Sequence, residues 1–389
     1  LRYAVIVKVA VTADWLVTYG GAEHVLAEFH ALYPDAPFFT TVARKQALGP
    51  LKNADIRTSG LQKWYNLIKQ HQILLPWMPR ALEDMDVRGF QVLISSSHAV
   101  GKGIIAPPGT LHVCYCHTPM RYAWEMEEEY LRDFNVPKLI RGRVKRELSK
   151  LRRWDMTSAQ RVDLFIANST TTQERIRRLY ARDSIVIPPP VGDRFLHPHP
   201  NPLPQTGEGG PEDRVRGYFL AVGRLVPYKR FDLLIDLANA LKLPLKIAGR
   251  GQDEARLKRM AGPTVEFLGF IPDDELPSLY ANAEALFFPQ YEDAGIVLLE
   301  AQACGTPVIA YRAGGAMDAV VEGKTGIFFA DQTTDSLSQA LERFRTMTWD
   351  RANIRAHAAK FSQEAFRRKM QQAVNGAYEE FKTGKFARR

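Results

Sequence analysis

Two glutamates, Glu292 and Glu300, stand eight residues apart in "YEDAGIVLLEAQACGTPV". Glu300 lies inside an apolar run of helical length, and Glu292 lies in the loop before it. An ionised carboxylate withdrawn from water costs several kcal/mol or more unless something binds it. The pattern therefore calls for partners: the hydroxyl groups of a ligand, or a buried cation in a salt bridge. The run reads as a strand "ALFF", a loop, and a helix from about Ile296 that ends near Cys304 and Gly305, with Pro307 beyond. Gly295 permits close approach of a ligand to the backbone, and the unsatisfied N–H groups and positive dipole end of the helix favour an anion. That is a phosphate seat at the carboxyl end of a strand, where open α/β sheets bind ligands.

A second set of charges occurs in "AVGRLVPYKRFDLLI", residues 221–235. A strand ends at Gly223, Arg224 follows, and Lys229 stands at the start of the next helix. A guanidinium binds phosphate bidentately and an ammonium acts as a point charge, so the pair suits a diphosphate. Exposed basic loop residues are otherwise simply solvated. Beside the first phosphate seat they gain a purpose.

The elements that must hold these groups follow from hydrophobic patterning. Short β-branched runs alternate with amphipathic stretches of helical length, the signature of parallel sheets covered by helices on both faces. The first half supplies "KVAVTA", "FFTTVA", "QVLISSS", "LHVCYCH", "LFIANS" and "SIVIPP". The second supplies "YFLAVG", "LKIAG", "VEFLG", "ALFFP", "TPVIAY" and "GIFFA". Two doubly wound α/β units in tandem are expected, as 389 residues would suggest. Between them residues 197–217 are rich in Pro and Gly and nearly free of large apolar groups, which marks a linker. The expected domains are 1–196 and 218–365, with a C-terminal helix over about 366–389 packing back on the first. Its stripe of Phe366, Met370, Val374, Tyr378 and Phe381 has helical spacing.

Composition removes several function classes. No apolar run is long enough to span a bilayer, and "LRYAVIVKVAV" reads as a strand rather than a signal peptide. Cys114 and Cys116, on one face of a strand, lack the CxxC spacing and second cluster of a zinc site, so reduced thiols and a cytosolic compartment are expected. The sequon at 168–170 is then a chance match. A net charge of +9 predicts an anionic partner without choosing among nucleic acid, membrane and phosphorylated small molecules. "AGRGQDE" has Glu254 where a dinucleotide fingerprint needs glycine, and "YGGAEHV" has the wrong spacing. A P-loop and the aromatic-interleaved basic surface of a nucleic-acid binder are also missing.

The second half resembles the donor domain of the GT-B glycosyltransferases of the retaining family 4, whose hallmark is E-x7-E, here Glu292 to Glu300. "DWLVTYGGAEHVL", "SSSHAVGKG", "CYCHTPMRYAWE", "FIANSTTTQERI", "VIPPPV" and "EAQACGTPVIAYRAGGA" also resemble the bacterial mannosyltransferase branch that builds surface polysaccharides. The resemblance implies two Rossmann-like domains facing a cleft. It assigns Glu292 to the hydroxyls of the transferred sugar, Glu300 to the ribose, and Arg224 and Lys229 to the diphosphate, aided by the amides of Gly295, Ile296 and Val297. Gly20 and Gly21 form the first-domain loop facing diphosphate and acceptor, and His117 is the active-site histidine beside the transferred sugar. The implied donor is a nucleotide sugar, GDP-mannose by branch, as co-substrate, with no cofactor. With no Asp-x-Asp metal-binding arrangement, the cations do a divalent ion's work. Ala294, where the branch usually has Phe, admits a different hexose, and Thr12-Ala13 replaces a common Val-His pair.

The acceptor side rests on "PKLIRGRVKRELSKLRRWD", residues 137–155, a basic helix with an apolar side. Arg141, Lys145 and Arg152 would dock on an anionic membrane or grip a phosphate, or the face is only solvated. Residues 64–80, "WYNLIKQHQILLPWMPR", mix Trp, Leu and basic groups as interfacial segments do, and are equally compatible with core. A polyprenyl-diphosphate-linked or saccharide acceptor fits both, which places the protein in the cytoplasm, peripheral on the inner face of the cell membrane. Competing readings are a nucleotide-sugar epimerase or hydrolase on the same fold, and a non-catalytic sugar-nucleotide or membrane-binding protein.

Overall fold

Each β-branched run named above becomes a strand of one of two parallel sheets in the computed structural model, which describes residues 7–125, 127, 137–197 and 217–386. The first sheet comprises β1 (Val9–Ala13), β2 (Phe38–Thr40), β3 (Ile56–Thr58), β4 (Val92–Ser97), β5 (Leu111–Cys116), β6 (Leu164–Ala167) and β7 (Ser184–Val186), ordered β3-β2-β1-β4-β5-β6-β7. The second comprises β8 (Phe219–Val222), β9 (Leu245–Ala248), β10 (Val265–Gly269), β11 (Leu286–Phe288), β12 (Val308–Tyr311) and β13 (Gly326–Phe329), ordered β10-β9-β8-β11-β12-β13. Both sheets reverse their winding once, between β1 and β4 and between β8 and β11. Those reversals are the switch points at which doubly wound sheets open a ligand crevice. Sequence reading did not anticipate β3, whose three residues include the exposed Arg57 and which pairs with β2 at the sheet edge.

Parallel strands covered on both faces are rich in apolar residues, and most of these are, the exceptions including Ser95, Ser96 and Ser97 of β4 and the edge strands β3 and β10. Along the second sheet Phe219, Ala221, Phe287 and Phe329 pack into one core layer, while Leu220, Leu286, Phe288 and Phe328 pack into the other. In the first sheet Cys114 and Cys116 are buried free thiols on one face of β5.

The chain divides into one unit of 1–188 with 366–389 and another of 189–365. The terminal helix Gln363–Lys382 buries Phe366, Met370, Val374 and Tyr378 in the first unit's core, with Phe381 partly buried against it. The first unit ends earlier than the expected residue 196. Val191 and Phe195 are buried in the second unit's core, and the Val191 amide donates to Phe361 O at 2.8 Å, so this short segment is captured by the second core. Of the expected linker, only His197 and Gly217 fall within the described residues. Among the described residues no helix is long and apolar enough to cross a membrane.

Candidate active site

In the second unit the expected groups gather at the carboxyl ends of β8 and β11, which pair across the switch point. Gly295 adopts φ +64°, and a Cβ there would meet Leu298 Cδ1 at 2.9 Å, so glycine is required where the chain turns into the helix Ile296–Ala303. The first-turn amides, including those of Ile296 and Val297, lack partners one turn back and leave a positive helix end there. Glu292 is held in the preceding loop by its backbone: its carbonyl accepts the Gly315 amide at 2.8 Å, and a Cβ on Gly314, at φ +63°, would sit 2.2 Å from that oxygen.

Lys229 closes a short turn, Pro227–Lys229, ahead of the helix Phe231–Leu241, and its Nζ lies 2.7 Å from Glu292 Oε1. The salt bridge raised as the alternative for these glutamates is thus present at Glu292. Arg224 is exposed in the same loop. Glu300 makes no salt bridge among those of the described residues. It is 8% exposed and accepts a hydrogen bond from the Tyr280 hydroxyl at 2.9 Å. Burial pushes its carboxyl up to about 7, with the Tyr280 bond pulling the other way. The carboxylate in the apolar helix is therefore tolerated partly by being protonated. Tyr280, in the helix Leu276–Ala281, had no signal of its own in the sequence beyond a buried aromatic at helical spacing.

The first unit brings a different set to the ends of β1, β4 and β5. His117 follows β5; its Nε2 lies 2.8 Å from the Ser96 hydroxyl, and burial, then the charge of His98, holds its imidazole at about 3. Gly20 caps the helix Gly21–Leu32, and its amide donates to Glu23 Oε2 at 3.0 Å. Gly20 lies in the loop expected to face diphosphate and acceptor, and its amide is committed to the helix's own first turn. Asp14 and His98, quoted above within motifs but given no role, form an ion pair of 2.8 Å beside His117.

Two family models match adjoining parts of the chain. "Glycosyltransferase Family 4" covers residues 19–194 and "Glycosyl transferases group 1" covers residues 210–361. The chain belongs to glycosyltransferase family 4. A GDP-mannose-dependent α-(1-6)-phosphatidylinositol monomannoside mannosyltransferase of Mycolicibacterium smegmatis is 36% identical over 40% of this chain and 45% of that protein. A D-inositol 3-phosphate glycosyltransferase of Salinispora arenicola is 35% identical over 45% of this chain and 43% of that protein. The chain thus spans less than half the length of these curated relatives. Its fold matches HepE of Anabaena, crystallised with UDP, with a TM-score of 0.65 at 18% identity, over 95% of this chain and 100% of that one. It likewise matches sucrose-phosphate synthase of Thermosynechococcus elongatus, with a TM-score of 0.70 at 18% identity, over 96% and 99%. The two parallel-sheet units are those of a GT-B fold.

The basic helix of this family-4 chain is placed differently from the expectation of a free cationic face. It spans Arg141–Ala159 and buries Leu148 and Leu151. Lys145 lies 3.5 Å and Arg152 3.3 Å from the Glu127 carboxylate, and Arg152 also donates to Ala123 O at 2.7 Å. Arg175 adds a 3.1 Å pair to Glu125 and a 3.2 Å bond to the Thr118 hydroxyl. These cations pin the segment that follows His117, because its carboxylates attract them at short range. Arg141 is half-buried. Lys138, Arg143, Arg146, Lys150 and Arg153 stay exposed along the basic stretch, and so do the apolar Leu139 at its start and Trp64, Leu67, Ile73 and Trp77 of the segment 64–80, whose Tyr65, Leu74, Leu75 and Met78 are buried.

Proposed function

We propose that this chain transfers a hexose, mannose by preference, with retention from a nucleotide sugar to a lipid-linked or saccharide acceptor in cell-surface polysaccharide synthesis. The observation that carries this reading is the layered arrangement at the β8/β11 switch point. Lys229 and Arg224 stand in the loop after β8, and Lys229 reaches the loop that leads into the helix start at Gly295. Glu292 stands next to Lys229, and Glu300 lies one turn and more into the helix. Diphosphate, sugar and ribose need, respectively, positive charge, a hydrogen-bond acceptor in the loop and an acceptor deeper in.

When the glycosidic bond breaks, the nucleoside diphosphate gains negative charge. Arg224, Lys229 and the helix N-terminus are assigned to meet it, and groups fixed beforehand need little reorganisation at that moment. Lys229 answers two demands in sequence, holding Glu292 at 2.7 Å and then sharing its charge with the phosphate. In the first unit His117, kept neutral, is assigned to the transferred sugar as a hydrogen-bonding group rather than a cation. The cytoplasmic setting stays part of this proposal; a membrane role for Arg141, Lys145 and Arg152 does not, since Lys145 and Arg152 serve Glu127.

The donor name carried by the mycobacterial relative supports GDP-mannose. UDP-hexoses are the second reading, supported by the UDP bound to HepE and by Ala294 in the sugar-side loop. Calorimetric titration with GDP-mannose, UDP-glucose and UDP-galactose discriminates them. The proposal expects one nucleotide sugar to bind and Lys229→Ala to weaken it; a protein that binds none of the wider nucleotide-sugar set contradicts it.

A further inference from the structure

The first unit holds an ion pair withdrawn from water that the assignments above leave unused. Lys102, 2% exposed, pairs with Asp155, 0% exposed, and its Nζ also donates to Ala99 O at 3.1 Å. The same carboxylate accepts the Trp124 indole N–H at 2.8 Å and the Tyr180 hydroxyl at 2.7 Å. Lys102 takes Oδ1, and the two neutral donors share Oδ2. Burial pulls Lys102 down and Asp155 more than reverses it, so the ammonium stays charged. Burial, then the Asp155 charge, pushes the Tyr180 hydroxyl up, so it stays a donor.

Four segments meet at that carboxylate. Asp155 lies in the helix Arg141–Ala159, and Lys102 in the short turn Gly101–Gly103 after β4. Trp124 ends the short helix Arg121–Trp124 after β5, and Tyr180 ends the helix Thr170–Tyr180 after β6. Neighbouring contacts repeat the pattern. A Cβ on Gly103 would sit 2.1 Å from Trp154 Cζ2, so the long helix is seated against that turn. Arg152 donates to Ala123 O at 2.7 Å, and the Thr172 hydroxyl donates to His117 O at 3.2 Å. His117 lies between these ties. Its amide donates to Ser97 O at 2.9 Å, its ring meets the Ser96 hydroxyl, and the chain then runs through the buried Met120 to the anchored Trp124.

Stability does not account for the pair. Two charges lose their hydration on burial, and their attraction only about offsets that cost; exchanged together for apolar groups of similar size, such pairs are often neutral or stabilising. What a carboxylate adds over an apolar contact is direction, because each oxygen holds its donors at hydrogen-bond distance and angle. We propose that Asp155 is a positioning residue for sugar transfer: through Lys102 and Trp124 it sets the place of the turns after β4 and β5, and so of His117, which heads the second. Asp155 acts through these neighbours and not on substrate. The proposal rests on the sugar-transfer reading, which gives His117 its role.

The test exchanges both charges at once. The full chain carrying Lys102→Met with Asp155→Leu should unfold in urea at or above the wild-type midpoint. Its His117 ring signals, read by NMR of histidine-labelled protein and assigned by their loss in His117→Gln, should move from their wild-type positions. Turnover should fall by about tenfold to a hundredfold, the scale of a group misplaced by about 1 Å. The KM for nucleotide sugar should stay at the wild-type value, because the proposed donor groups lie in the second unit. A folded double variant with wild-type turnover and unmoved His117 signals overturns the proposal. So does a loss of turnover that only tracks a loss of stability with His117 unmoved, which would make Asp155 an ordinary core residue. Should the double variant not fold, Trp124→Phe, which removes the indole N–H and keeps an aromatic ring, decides: His117 must move, and an unchanged His117 refutes the tie. A wild type that transfers no sugar sinks the transferase reading, and the His117 signals alone then decide whether Asp155 positions the turn.

Discussion

Replacing Glu300 with glutamine should make the protein's stability less dependent on pH, and the size of the effect can be worked from the helix around it. Burial raises the Glu300 carboxyl from an ordinary 4.5 to about 7. A folded pKa above the unfolded one means the folded state binds the extra proton. The associated stability is present in full below the unfolded value and is lost as pH rises through about 7. Each pKa unit is worth about 1.4 kcal/mol, so the loss amounts to about 3 kcal/mol across that window. A glutamine can still accept the Tyr280 hydroxyl and has no charge to bury, so Glu300→Gln escapes the loss. Urea unfolding of both proteins at about pH 5 and about pH 9 measures it, since the difference between them should change by about 3 kcal/mol in favour of the variant at the higher pH. The same substitution should weaken a nucleoside diphosphate, whose ribose hydroxyls seek the carboxylate, and wild-type binding near pH 7 should release a proton, read from the dependence of calorimetric heat on buffer. Parallel stability profiles for the two proteins would show that Glu300 is ionised and compensated in some other way, and the reasoning would fail.

Lys229→Ala and Arg224→Ala should each lower turnover by about two to three orders of magnitude if they act as removed oxyanion-hole donors do. The Arg224→Ala melting temperature should stay near wild type, whereas Lys229→Ala should also lower it by leaving Glu292 without its cation; near-normal rates in both variants would place the diphosphate elsewhere. Turnover should persist in excess EDTA, because the proposed leaving-group charge falls on side chains and a helix end; loss by chelation with recovery on added magnesium or manganese would contradict that. Phe366, 2% exposed and 6.1 Å from the Phe29 ring centroid, carries the terminal helix into the first core. Phe366→Ala should cost about 3–5 kcal/mol in denaturant unfolding, and a cost under about 1 kcal/mol would mean the helix adds little to that core.

Much of the fold was legible because parallel strands buried on both faces leave continuous apolar runs, and twelve of the thirteen strands were written that way. β3 escaped because three residues around an exposed arginine carry no such run. The boundary at 188 escaped for another reason: Val191 and Phe195 look like the tail of the first domain in sequence, and only three-dimensional burial shows which core claims them. In the donor half, loop chemistry is local, so Gly295, Lys229 and Glu292 could be read from spacing, though the pairing of Lys229 with Glu292 could not. The Asp14–His98 pair joins residues 84 apart, each just past the end of one of two neighbouring strands, and neither partner announces the other. Along the basic stretch nothing in the sequence signals that Glu127, outside it, takes Lys145 and Arg152, while Lys138, Arg143, Arg146, Lys150 and Arg153 stay exposed.

The most direct test of the account is to incubate the full chain with anomerically labelled GDP-mannose and a panel of polyprenyl-diphosphate-linked and free saccharides, following nucleoside diphosphate release and the anomeric centre of the product by NMR. The account predicts release that depends on one acceptor, an α-configured mannoside from the α-configured donor, and loss of both signals in Lys229→Ala. Release that ignores every acceptor, or a β-configured product, would contradict it.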